Sequence, residues 1–168
     1  PPISVKNLSK RKQRAIYTKR LLNKMSLAPR KKSSQNKGVT LERIFRDRLT
    51  YLGIREIQQP RLLKKSFDHL YVKRCRRIVI AKRREGAILI LSSGVKNRLM
   101  AGDDAARAEF FSNLIRCETA MLVFSDSSAL PVSLSTELKH YQLPAAAASL
   151  NDHLLESRIK AVLQEKIK

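Results

Sequence analysis

Six runs of Lys and Arg are the residues with the clearest chemistry in this chain. Lys10-Arg11-Lys12 (with Arg14), Lys19-Arg20 (with Lys24), Arg30-Lys31-Lys32, Lys64-Lys65, Lys73-Arg74-Cys75-Arg76-Arg77 and Lys82-Arg83-Arg84 all lie in the first half of 168 residues. Ammonium and guanidinium groups hold anions, and arginine can fork onto a phosphate with two N–H groups. A single run of this kind is commonly a solvated face. Six of them, with five acidic residues in the first 88 positions, call for a polyanionic partner. Nucleic acid is the commonest, through phosphate neutralisation and counterion release. Tyr17, Tyr51 and Tyr71 are interleaved with the runs and could stack on bases. An acidic protein and an anionic membrane surface are the other partners that such charge would suit.

Catalytic and metal chemistry is not spelled out. There is no G-x-x-x-x-G-K-[ST] phosphate loop and no G-x-G-x-x-G; the lone Gly94-Val95-Lys96 turn cannot build one. His69, His140 and His153 share no ligand spacing with each other or with Cys75 and Cys117. Asp103-Asp104 reads as a helix cap that complements the dipole. Ser125-Asp126-Ser127-Ser128 falls where α/β folds bind ligands, beyond the end of a strand, but no base is placed beside it. Cys75, among four cations, would be a depressed thiol if exposed; alternation with Val72 suggests instead that it faces inward. The expectation is a protein without catalytic residues, cofactor or metal.

The cations must be positioned by two very different parts of the chain. Residues 1–40 carry twelve basic and no acidic residues, residues 41–88 carry fourteen and five, and residues 89–168 carry nine of each, which makes the net +21. Residues 1–39 read as a basic N-terminal extension. Ser9 caps a helix from about Lys10 to Met25 with a thin stripe of Ala15, Leu21, Leu22 and Met25. Pro29 stops it, and the linker that follows is polar and aperiodic. Alone it buries too little to fold, so disorder without a partner is expected. Being basic, amphipathic and free of acids, the stretch also has the traits of a transit peptide, which leaves a mitochondrial setting open.

Residues 40–168 read as one α/β domain, a small sheet with helices packed on it. Thr40 caps a helix carrying Leu41, Ile44, Phe45, Leu49 and Leu52, with Gly53 at its end and Arg43, Arg46 and Arg48 outside. Residues 54–75 show no clear period. Ile78–Ala81 and Ala87–Leu91 read as a hairpin around Lys82–Gly86. Then come a short helix from Val95 to Met100 and a helix capped by Asp103 running to Arg116, with Ala106, Phe110, Phe111, Leu114 and Ile115 inward. They are followed by a buried strand at Ala120–Phe124, a helix opened by Pro131, a weak strand at 143–148 and a last helix. Ser149 caps that helix, which turns Leu150, Leu154, Leu155, Ile159, Val162, Leu163 and Ile167 inward. This alternation predicts parallel strands. No apolar run approaches the ~18 residues of a membrane span.

From the helix at Asp104, through the strand 120–124, Leu130-Pro131 and Tyr141-Gln142-Leu143-Pro144, to the closing helix from Ser149, the chain resembles the N-terminal domain of the HPr kinase/phosphorylase family. Thr40–Leu52 could match that domain's opening helix. The family's catalytic machinery lies in a second domain with a phosphate loop, which has no counterpart in this sequence, so no catalytic residue carries over. A similar strand–helix–Pro–strand pattern occurs in kink-turn-binding ribosomal proteins. Two functional expectations follow. One is a non-enzymatic RNA-binding protein, a component of a ribosome or another ribonucleoprotein with protein neighbours, gripping phosphates through its arm and the 61–84 segment. The other is a regulatory or protein-interaction domain related to the HPr kinase N-terminal domain.

Overall fold

The computed structural model describes residues 38–78 and 83–167. The expected helix at 10–25, the linker, all the cations from Lys10 to Lys32, Tyr17, Lys82 and most of the expected strand 78–81 lie outside the described residues. The chain divides into two units, Pro1–Gly38 and Val39–Lys168, and the α/β architecture belongs to the second.

The elements run β1 (Val39–Thr40), α1 (Leu41–Phe45), β2 (Ile54–Gln58), a 3-10 turn (Pro60–Lys64), β3 (Ser66–Phe67), β4 (Tyr71–Cys75) and β5 (Ala87–Leu91). Then follow α2 (Ser93–Ala101), α3 (Asp104–Arg116), β6 (Met121–Phe124), α4 (Val132–His140), β7 (Ala145–Ala148) and α5 (Asp152–Ile167). The main sheet has the order β2-β7-β6-β5-β4; β1 and β3 form a separate antiparallel pair. Strands β4, β5, β6 and β7 are parallel neighbours and β2 joins β7 antiparallel, so the sheet is mixed.

Both faces of the sheet are covered, which is why its inner strands read as unbroken apolar runs. Ile88 and Ile90 of β5 pack with α1 and with Leu155, Ile159, Val162 and Leu163 of α5. Leu89 and Leu91 face the other way, onto Val95 and Leu99 of α2, Phe110, Phe111 and Leu114 of α3 and Leu134 and Leu138 of α4. Each such side chain, fully buried, stabilises by ~1.5–3 kcal/mol.

The helix ends follow local chemistry. Thr40 Oγ1 accepts from Arg43 N (3.1 Å), and Asp103 Oδ1 accepts from Ala106 N (2.8 Å). At the other end three helical segments close in the same way. Ile54 N donates to Leu49 O and Gly53 N to Thr50 O; Thr119 and Glu118 bond back to Leu114 and Ile115, and Leu143 and Gln142 to Leu138 and Lys139. This paired 6→1 and 5→2 pattern places one residue in the left-handed region. Gly53 takes it freely, whereas Glu118 (φ 49°) and Gln142 (φ 50°) take it with a side chain.

The structure corrects several expectations. The hairpin gives way to a parallel pair: the strand beside β5 is β4, lying earlier at 71–75, with register Tyr71↔Ala87 through Cys75↔Leu91. Gly86 (φ 90°) ends the connection so close to residue 69 that an added Cβ would stand 1.9 Å from its carbonyl oxygen. The helix after Thr40 is only five residues long, and Leu49 is exposed. Ala106, Ile115, Leu154 and Ile167 are exposed as well. The last helix is capped by Asn151, whose Oδ1 accepts from Leu154 N (2.9 Å), while Ser149 bonds to Gly53 O. The strand read as weak, β7, is fully buried near the middle of the sheet.

Candidate functional site

β4 ends the sheet at one edge and is the strand that carries Lys73, Arg74 and Cys75. Alternation sends Val72 and Arg74 to the α5 side and Cys75 to the side of α2 and α3. Cys75 is therefore buried, as expected, but on the opposite face from Val72, since an odd step along a strand changes face. Burial pushes its thiol above the ordinary range, against the opposing effects of a backbone hydrogen bond at Arg77 and the charge of Arg83. It is not an activated nucleophile.

A groove of about 480 Å³ runs between this edge and α5. Lys73, Arg74, Arg76, Arg77, Arg83 and Lys160 line it, with Glu156 as the one carboxylate. A second crevice of about 460 Å³ shares Arg74, Cys75 and Arg76 with the first and turns around the carboxyl end of β4 to Gly94, Arg98 and His153. The two make one cationic surface around the end of the strand.

The cations in it are not equivalent. Arg74 is committed to the protein: its Nε donates to Glu156 (3.0 Å), and its Nη1 lies 3.6 Å from Asp152 and 3.1 Å from His153 Nε2. Arginine only donates, so His153 accepts through Nε2. Glu156 is further shared with Lys160 at 3.7 Å. Lys73, Arg76 and Arg77 are exposed. Arg98 donates to Arg76 O (3.4 Å). Arg83 is only partly exposed, and its Nε and Nη1 are sealed from solvent.

The other basic residues of the 61–84 segment lie elsewhere. Lys65 sits with its Nζ 5.1 Å over the Phe67 ring, beside a crevice formed by residues at the amino ends of β6 and β7. Lys64 precedes it in the 3-10 turn. Arg84 stacks 4.3 Å over Tyr71, whose hydroxyl donates to Arg84 O (2.8 Å). Tyr51 is covered likewise by Arg158 at 4.7 Å, so one face of each ring is already taken.

The buried serines of the Ser125–Ser128 loop, Ser125 and Ser127, are satisfied from within. The backbone N–H groups of Ser125, Asp126 and Ser127 donate to Leu91, Leu150 and Ala148 carbonyls. Ser125 Oγ donates to Leu91 O and Ser127 Oγ to Ser125 O, and Lys96 Nζ reaches Ser127 Oγ at 3.4 Å. Asp126 and Ser128 stay exposed. Lys160, Arg98, Glu156 and His153 complete the cationic surface from the electrically neutral half of the chain, where charge counting did not look. The i, i+4 spacing of Glu156 and Lys160 on one helix face was a signal for those two only.

Among the described residues, no helix is long and apolar enough to cross a membrane. No protein-family model matches the sequence, and no curated protein is similar to it. Among solved structures it is similar to the crystal structure of the CBS and DRTGG domains of the regulatory region of Clostridium perfringens pyrophosphatase, complexed with the activator diadenosine tetraphosphate. The TM-score is 0.44 and the identity 15%, over 73% of this chain and 46% of that one. This chain therefore spans less than half the length of that structure. At that score and identity the likeness says nothing of ligand or activity.

Proposed function

We propose that this protein is a non-enzymatic RNA-binding protein, a structural component of a ribosome or another ribonucleoprotein, which holds the phosphate backbone. The observation that carries this reading is the groove beside β4, with six cations around a single carboxylate that is already paired. Lys73 and Arg74 stand on a strand and Lys160 on a helix, so they lose less freedom on binding than cations on a loose chain. The twelve basic residues of positions 1–40 would add contacts along the same backbone. Recognition is of phosphate rather than sequence. Log affinity against log salt should fall with a slope beyond about −4, from six or more contacts at ~0.7–0.9 each. An affinity for RNA that is flat with salt refutes the reading.

A second reading is a regulatory or interaction domain related to the HPr kinase N-terminal domain, without a kinase site. The order strand–helix–strand–helix from 121 to 167, by which the chain resembles that domain, supports it. Salt-independent capture of a protein partner, without affinity for RNA, would select it.

A further inference from the structure

Arg83 differs from every other cation in the groove. Arg76, Arg77, Lys73 and Lys160 are exposed and can turn to water, and Arg74 has three partners in α5. Two of the three guanidinium nitrogens of Arg83 have neither outlet. Its Nε and Nη1 are out of contact with solvent, and neither has an acceptor among the described residues. Nε lies on the side edge of a guanidinium and Nη1 on its end, so each edge has at least one donor without an acceptor. The carboxylate of the groove cannot supply one, because Glu156 is held by Arg74 at 3.0 Å and by Lys160 at 3.7 Å. Charged donors sealed in this way destabilise a fold unless an anion joins them.

We infer that Arg83 is the anchor of the groove, the residue that takes a phosphate oxyanion on its fork. An oxyanion with two free oxygens matches one edge of the guanidinium in bidentate geometry, which an ammonium cannot do. Arg76, Arg77 and Lys160 line the same groove as long, exposed side chains. With an anion on Arg83, these side chains neutralise the rest of its charge. The chemistry is that of a phosphate group, whether part of an RNA backbone or free. The inference rests on the RNA reading only for that source.

The test uses the full chain and two variants. Arg83→Met keeps the length and removes the charge; Arg83→Lys keeps the charge and removes the fork. The measurements are the thermal midpoint with and without inorganic phosphate, and the affinity for a duplex RNA at physiological salt. The Met variant should melt at or above the parent in the absence of anion. It should lose the phosphate-induced rise in midpoint and bind RNA at least ten-fold more weakly, with the Lys variant between. Arg46→Met, at an exposed position outside the lining of the groove, should change RNA affinity less than two-fold. A Met variant that melts well below the parent overturns the inference, since Arg83 would then have a structural partner. So does a phosphate-induced shift unaffected by either substitution, or a parent with neither a phosphate shift nor RNA affinity. An Arg83-dependent phosphate shift in a protein that does not bind RNA supports the anchor and refutes the RNA reading. RNA affinity equal in parent and Met variant does the reverse.

Discussion

Replacing Arg74 by Ala should weaken the fold far more than it weakens RNA binding. The Arg74 side chain is 19% exposed and those of its partners Glu156 and Asp152 are 21% and 28% exposed. The bond to Glu156 at 3.0 Å is a charged hydrogen bond between half-buried groups, of the kind that contributes ~1.5–3 kcal/mol. The Asp152 pair at 3.6 Å is longer and wetter and adds ~0–1 kcal/mol. Lys160 is 60% exposed and 3.7 Å from Glu156, too loosely held to replace the lost partner. The variant should therefore lose about 2–3 kcal/mol in urea unfolding, seen as a lower midpoint at unchanged slope. Removing Glu156 as well should return part of that loss, a coupling of about 1–2 kcal/mol in a double-mutant cycle. Because Arg74 is already neutralised, RNA affinity of the folded variant should fall less than about three-fold. A stability change below about 0.5 kcal/mol, within the range of ordinary surface substitutions, would refute the claim that Arg74 joins β4 to α5.

The exposed pair behaves in the opposite way. Replacing Arg76 and Arg77 by Ala should leave the urea midpoint within about 0.5 kcal/mol and reduce RNA affinity by about 1–3 kcal/mol in anisotropy titrations. Glu118→Gly and Gln142→Gly should each stabilise by about 0.5–1 kcal/mol. Left-handed strain of ~1–2 kcal/mol is relieved, and the freer unfolded chain takes back ~0.4–1 kcal/mol; calorimetric midpoints will show it. Cys75 makes stability pH-dependent. Burial holds its thiol protonated above the ordinary 9.0, so its contribution is complete below that pH. It declines as the pH rises further, because the unfolded chain then binds fewer protons. Cys75→Ala should flatten the alkaline limb of a stability–pH profile.

The parts of the fold legible in the sequence were those with a single dominant signal. Ala87–Leu91 and Met121–Phe124 are continuous apolar runs because helices cover both faces of the sheet. Asp103 and Thr40 announced helix starts through local hydrogen bonds that need no tertiary context. β2 and β4 were hidden because both are edge strands: Arg55-Glu56 and Lys73-Arg74 interrupt their patterns, and pairing on one side only suffices to hold them. β7 was undervalued because four alanines have poor strand propensity. Their small size lets both helical layers approach the middle of the sheet. The candidate site was half legible. The cluster 73–77 stood out by charge. That Arg74 is a structural tie depended on Glu156 and α5, some eighty residues away, which no local pattern reveals.

The most direct test of the central claim, that the groove beside β4 meets the phosphate backbone, is a lysine-acylation footprint of the full chain with and without duplex RNA. Lys73 and Lys160 border the groove, Lys64 and Lys65 lie at the opposite end of the strands, and Lys139 lies on α4 across the sheet. RNA should protect Lys73 and Lys160 several-fold and leave Lys64, Lys65 and Lys139 as reactive as in the free protein. Unchanged reactivity at Lys73 and Lys160 in a saturated complex would contradict the account.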